Sequence, residues 1–370
     1  MKIGIVTFYA ANNCGAMLQC YASYAAIRKL FPDAEVHVVD FLHNIRRKAP
    51  SAPAIFRQSY RKNHSVPKSV FHALDSAKER LHSHGASLFQ DFIEQYADLD
   101  ANAGLDAERR LACSGYDALI TGSDQVFVGC EPYFYLDTTQ EHQPAKIAYA
   151  PSFGNLDNLP ESRHPWVADR LSAFHALSCR ETDGCAFVEK LTGRPCPQVL
   201  DPTMLLPAED WLSIARRPEG VPDGGFVFSY ELWRCPNTLA TAQRAAQELG
   251  VPLVRAKYFN EGVKFYNRIG PREFIWLAAH AKHVVTPSFH GSVFSLLFGT
   301  PFHVVATAAP QTRLTTLLSI VGMEDRRIHT SAEWNGERPY PAPEIIRERI
   351  SPHRQASLDY LNSALGALRA

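Results

Sequence analysis

The sequence predicts an α/β protein made of two Rossmann-like domains around a cleft. Strand-length apolar runs alternate with helix-length amphipathic segments, the pattern of parallel sheets covered by helices. The alternation runs twice, from residue 1 to 206 and again from 207 to 345, and 346–370 reads as a helix packing back on the domains.

The first domain opens with a strand, Lys2 to Phe8, and the polar loop Tyr9-Ala10-Ala11-Asn12-Asn13-Cys14-Gly15-Ala16. A helix from Met17 to Leu30 and a second strand, Glu35 to Phe41, complete a βαβ start. Gly15 lets backbone approach a ligand closely, but the loop lacks the three glycines of the dinucleotide fingerprint. Residues 44–85 are a basic excursion, with Arg46, Arg47, Lys48, Arg57, Arg61, Lys62 and Lys68 among prolines, readable as a solvated surface or as a lid drawn to phosphate. Phe89 to Tyr96 predicts a short amphipathic helix.

The buried strand Tyr116 to Ile120 runs into Thr121-Gly122-Ser123-Asp124-Gln125. That loop either caps the next turn through Ser123 or Asp124 or holds a substrate at a strand's carboxyl end. Short strands are predicted over Phe134–Asp137 and Lys146–Ala150, and a helix over 161–175. Ala176 to Glu181 runs from a short strand into a turn. An exposed Arg180–Glu181 pair would contribute little, whereas an arginine at the end of a buried strand can grip a carboxylate or phosphate with two parallel hydrogen bonds. Asp201, before Pro202, caps or turns the chain.

The second domain is predicted from strands at Gly225–Tyr230, Val251–Ala256, His283–Val285 and Phe302–Ala306, with helices at Thr238–Leu249, Pro271–Ala281 and Arg313–Val321. Residues 331–344 read as a linker and the last helix as Gln355 to Leu368. The stretch 282–301 organises the chain. Its strand feeds, through Thr286-Pro287-Ser288, a helix stopped by Gly299 and Pro301. His290 lies in that helix's first turn, where free N–H groups favour an anion and disfavour an imidazolium. It either caps the helix or sets a titratable imidazole beside a phosphate cradle.

Composition excludes other classes. Lys+Arg and Asp+Glu both number 38, so nothing marks a general nucleic-acid binder. No apolar run nears the roughly 18 residues that span a bilayer, and the amino terminus shows no signal pattern, so a cytoplasmic protein is expected. None of the eight cysteines forms a Cys-x-x-Cys pair, so free thiols rather than zinc are expected.

Six motifs stand in order: Asn12-Asn13-Cys14-Gly15-Ala16, Gly122-Ser123-Asp124-Gln125, Ala148-Tyr149-Ala150-Pro151-Ser152-Phe153-Gly154, Ser178-Cys179-Arg180-Glu181, Leu200-Asp201-Pro202-Thr203 and Ser288-Phe289-His290-Gly291. With them the chain resembles the polysaccharide pyruvyl transferases from Met1 to about Arg327. It departs at Cys14, where an aromatic is common, and at Phe127, where Trp is common. The resemblance implies a GT-B-like fold. It also implies transfer of the enolpyruvyl skeleton of phosphoenolpyruvate onto two hydroxyls of a sugar, giving a cyclic ketal and free phosphate. The partners implied are phosphoenolpyruvate and a saccharide acceptor, free or lipid-linked at the inner membrane surface. No cofactor and no metal are called for.

That reaction needs cations for a carboxylate and a phosphate, and an acid and a base. On this reading His290 is the general acid or base, Arg180 binds the donor, and Asp124 is a second proton carrier. The Ser288 hydroxyl and the N–H groups of Gly291 and Ser292 complete an anion site. Asn13, Gly15 and Ser123 line the amino-terminal side. Two other classes stay open: a nucleotide-sugar glycosyltransferase on the same fold, and a non-catalytic carbohydrate-binding relative.

Overall fold

The computed structural model describes residues 1–42, 84–231, 235–257, 269–307, 311–336 and 338–368. The basic excursion predicted at 44–85 lies, up to residue 83, outside the described residues. Two five-stranded parallel sheets form the frame. The first comprises β1 (Lys2–Val6), β2 (Glu35–Val39), β3 (Leu99–Asp100), β6 (Ala118–Thr121) and β7 (Ala145–Ala148), in the order β3-β2-β1-β6-β7; β4 (Gly104–Leu105) and β5 (Leu111–Ala112) make a small separate hairpin. The second comprises β8 (Val227–Glu231), β9 (Leu253–Lys257), β10 (His283–Thr286), β11 (Phe302–Val305) and β12 (Arg327–Ile328), in the order β12-β11-β10-β8-β9.

The strands are short and apolar because both faces are covered, and β1, β6, β8, β10 and β11 are buried almost throughout. The covering helices are α1 (Cys14–Leu30), α2 (His84–Tyr96), α3 (His164–Ser172), α4 (Thr182–Thr192), α5 (Ala208–Ile214), α6 (Pro236–Glu248), α7 (Pro271–His280), α8 (Phe289–Phe298), α9 (Thr312–Val321) and α10 (Pro343–Gly366). In each sheet the strand order reverses once, between β1 and β6 and between β8 and β10. Parallel α/β sheets bind ligands outside the strand ends at such reversals. The loops after β1, β6 and β10, with helices α1 and α8, are therefore the places to look.

Several sequence expectations need correction. The Phe134–Asp137 strand is instead a 3-10 turn, Pro132–Tyr135, because Pro132 at its start fixes a helical φ. Within 161–175, the α-helix covers only His164–Ser172 after a 3-10 turn, and Phe174 ends it by turning into the core. The final helix begins at Pro343, not Gln355, and runs through Pro352. The energy lost at Pro352 is offset by the burial of Ile346 and Ile350 in the preceding turns, each contributing about 1.5–3 kcal/mol. Helices α4 and α5 were not foreseen. Their apolar residues are few and become buried only by tertiary packing.

The two sheets are joined by side chains. Trp211 of α5 is fully buried, with ring centroids 5.5 Å from Tyr21 of α1 and 4.9 Å from Phe294 of α8. Its indole N–H donates to the Thr203 carbonyl at 3.1 Å. Helix α10 adds a second tie. Pro343 at its start lies against Gly299 at the end of α8, while Tyr360 near its other end donates to the Ala148 carbonyl of β7 at 2.9 Å.

Beneath the second sheet, His283 Nε2 and His303 Nδ1 lie 2.9 Å apart under the Trp334 ring. One nitrogen must donate and the other accept, so the two rings cannot both be protonated in this contact. Burial pushes His303 down to about 4, Arg326 and Arg338 adding to it against Asp325, and burial with His303 holds His283 well below the usual imidazole range. Both imidazoles are therefore easier to protonate in the unfolded chain. The stability they support is complete above about pH 6.5 and falls as pH drops toward 4, by up to about 1.4 kcal/mol per pH unit for each proton. Melting curves from pH 8 to pH 5 should show a falling Tm that replacement of both histidines by Gln removes. Equal slopes for wild type and variant would refute this.

Candidate active site

The site forms where the amino-terminal ends of α1 and α8 meet. Asn13 caps α1, its Oδ1 accepting the Ala16 N–H at 3.2 Å. Ser288 caps α8, its Oγ accepting the Gly291 N–H at 3.3 Å. Gly15 then passes so close to His290 that a Cβ there would lie 2.1 Å from the imidazole Nδ1, so only glycine fits while His290 keeps its place. This contact brings the loop after β1 to the loop after β10.

Asp201 is the hub. Its carboxylate is buried; Oδ2 accepts Arg180 Nη1 at 2.5 Å and the Ser123 hydroxyl at 2.9 Å, and Oδ1 accepts the Thr203 hydroxyl at 2.6 Å and N–H at 3.0 Å. His290 Nε2 stands 3.6 Å from Oδ2, beyond hydrogen-bond reach. Burial alone would raise this carboxyl, but His290 and Arg180 outweigh it and hold it well below the usual carboxylate range. Asp201 is thus an ionised anchor. The sequence reading saw only its turn-capping role, which it also performs toward Thr203.

Arg180 is 3% exposed, and its guanidinium lies 4.3 Å from the Phe289 ring centroid. Only its Nη1 is engaged, with Asp201 and, at 3.4 Å, Ser123. Nε and Nη2 have no hydrogen-bond partner among the described residues. Nη2 lies 3.5 Å from Asp124 Oδ1 and Nε 4.0 Å from Glu181 Oε2, ion-pair contacts without a hydrogen bond. Two parallel donors on one edge of a buried guanidinium are thereby left over. A buried donor with no hydrogen bond costs about 1–3 kcal/mol, so an acceptor that reached this edge would be held strongly.

The surrounding charges nearly cancel. Arg313, in the first turn of α9, lies 3.9 Å from Asp124 Oδ1. The Gln125 amide, with its oxygen toward Arg313, accepts from Nη1 at 3.0 Å and Nη2 at 3.1 Å. Glu181 accepts the Phe153 N–H at 2.9 Å through Oε1, while Oε2 has no hydrogen bond among the described residues. Burial pushes its carboxyl up to about 7, against the opposing pull of Arg180. A cavity of about 10 Å³, room for roughly one water, lies among Arg180, Asp201, Phe289 and Arg313.

The structure brings His290, Arg180, Asp124 and Gly15, four of the residues named from the sequence, near one another. Asn13 is half-buried at the α1 cap, next to them. Ser123 is fully buried and its bonds are committed to protein: its N–H goes to Gln19 Oε1 at 3.0 Å, and its hydroxyl faces Asp201 and the Ala150 carbonyl. The cradle expected from Ser288, Gly291 and Ser292 is also occupied. The Gly291 N–H is taken by Ser288 Oγ, and the Ser292 N–H by the Ser288 carbonyl at 3.1 Å. The cap satisfies those two donors internally. Sequence reasoning missed Asp201 as hub, Arg313, Glu181, and Gln19, which ties Ser123 to Thr7 at the end of β1. An acid closing a short apolar run was the available signal for Asp201 and Glu181, whereas Arg313, in the first turn of α9, had none.

No curated protein matches this chain. Among solved structures, it is similar to the UDP-GlcNAc 2-epimerase from Neisseria meningitidis bound to UDP-GlcNAc, at 9% identity over 98% of this chain and 94% of that one, with a TM-score of 0.47. It is also similar to the E. coli heptosyltransferase WaaC with ADP, at 13% identity over 95% and 100%, with a TM-score of 0.38. The UDP-N-acetylglucosamine 2-epimerase from Rickettsia bellii matches at 10% identity over 98% and 97%, with a TM-score of 0.38. The family model for polysaccharide pyruvyl transferase matches residues 13–308, most of the chain and five of its six motifs in full, so the protein belongs to the polysaccharide pyruvyl transferase family.

Proposed function

We propose that the protein transfers the pyruvyl group of phosphoenolpyruvate to a saccharide, forming a cyclic ketal during surface-glycan or exopolysaccharide synthesis. The observation that carries this reading is the buried Nε–Nη2 edge of Arg180, which makes no hydrogen bond among the described residues and has only the longer ion-pair contacts to Asp124 and Glu181. A planar carboxylate fits such a fork through two parallel hydrogen bonds, and Arg313 supplies a second cation for the phosphate.

The chemistry then follows from the residues. Carbon 3 of the enol takes a proton while a sugar hydroxyl attacks carbon 2. A second hydroxyl then displaces phosphate and closes the ketal. In this reading His290 carries the proton: its Nε2 makes no hydrogen bond among the described residues and lies 3.6 Å from Asp201 Oδ2. Asp124 is the second proton carrier, and Asn13 and Gly15 border the acceptor side. The reading needs no redox cofactor.

The test is a donor assay. Purified protein is incubated with phosphoenolpyruvate and a panel of free and lipid-linked sugars, with nucleotide sugars run in parallel. The expected result is phosphate release that depends on the sugar, with a pyruvyl ketal in the product. Turnover of a nucleotide sugar with phosphoenolpyruvate inert across the panel would replace this reading by glycosyl transfer.

A further inference from the structure

Three cysteines far from any zinc-finger spacing converge behind the site. Cys179, Cys185 and Cys196 are separated by five and ten intervening residues, yet their Sγ atoms all lie within 4.8 Å of one another. Each is buried, at 0%, 8% and 2% exposure, and none is in a disulfide. They come from three different pieces of chain. Cys179 directly precedes Arg180. Cys185 sits in the first turns of α4. Cys196 enters the segment that ends at Asp201. The first and third segments run side by side: the Cys179 N–H donates to the Pro197 carbonyl at 3.3 Å, and the Val199 N–H to the Cys179 carbonyl at 2.9 Å.

We propose that Cys179, Cys185 and Cys196 form a binding site for a soft, divalent metal ion of the zinc class, which clamps together the segments carrying Arg180 and Asp201. Thiolate sulfur is the donor such ions select. With a metal–sulfur bond of about 2.3 Å, three thiolates around one ion stand about 4 Å apart, so closure asks each sulfur to move by less than about 1 Å. Binding releases the thiol protons. A divalent ion with three thiolates leaves one net negative charge, whereas a monovalent ion leaves two, and burial favours the smaller charge. Among the described residues no fourth His, Cys, Asp or Glu joins the set, so the fourth position is left for a small exogenous ligand. The ion would sit one residue from Arg180 without touching the reacting groups, a positioning role.

The experiment uses the full chain, reduced and freed of metal, titrated with Cd(II) and then with Zn(II) in competition. The expected result is one equivalent of Cd(II) bound with a thiolate-to-metal charge-transfer band, release of two or more protons, and a raised Tm. Cys185→Ser and Cys196→Ser should each weaken binding at least about tenfold, and Cys235→Ser should leave it unchanged. Should a serine variant fail to fold, the proton count and band on the wild-type chain still decide the matter. No band at one equivalent, or a band that survives both serine variants, would overturn the proposal. Neither readout involves turnover, so its failure would leave the pyruvyl-transfer reading untouched.

Discussion

His290→Ala is expected to lower turnover by about a hundredfold or more while leaving the fold intact, because a positioned proton carrier contributes typically that much. The fold should survive because the imidazole Nε2 makes no hydrogen bond among the described residues, and Asp201 keeps Arg180, Ser123 and Thr203 when His290 is gone. Gly15→Ala separates position from chemistry. Its Cβ would meet the imidazole Nδ1 at 2.1 Å, so the ring must leave its place although the residue remains. Turnover should fall by a similar factor. Circular dichroism and Tm establish folding, and phosphate release from phosphoenolpyruvate measures the rate. Near-normal rates in a folded His290→Ala protein would remove His290 from the mechanism. A normal rate in Gly15→Ala alone would show that the ring works from another position.

Arg180→Lys should weaken donor binding by about ten- to a hundredfold at unchanged net charge. A lysine ammonium can still pair with Asp201, where Arg180 Nη1 now sits at 2.5 Å, but it cannot at the same time present the parallel Nε and Nη2 donors. Losing a hydrogen bond to a charged group costs about 1.5–3 kcal/mol, which sets that range. Isothermal calorimetry with phosphoenolpyruvate reads it directly. Because Asp201 keeps a cation, the variant avoids the uncompensated buried charge that Arg180→Ala would leave. Unchanged donor affinity would make Arg180 a structural partner of Asp201 only, and the carboxylate would then have to be sought at Arg313.

The strands and the loops at their ends were legible in the sequence. Apolar runs such as Val284-Val285 and Leu119-Ile120 are buried on both faces, so their identity does not depend on what packs against them. The proline at 271 and the glycine at 299 likewise mark helix ends by local backbone geometry, and both stand where expected. Helix α4 was not legible, because Gly184, Cys185 and Val188 form too thin an apolar stripe to announce a helix. The start of α10 was hidden by Pro352, whose local preference is overridden by burial of Ile346 and Ile350.

What the sequence by itself determined is the family and the parallel α/β frame, with His290 and Arg180 singled out at the ends of their apolar runs. These depend on local spacing, which a linear reading contains. Only the tertiary structure decided that Asp201 joins Ser123, Arg180 and His290, that the α8 cap consumes its own Gly291 and Ser292 donors, and that three widely spaced cysteines share one pocket. The reason is physical. A carboxylate or thiol has no directional signature along the chain, and its partner is whichever residue the packing of distant elements brings within a few ångströms.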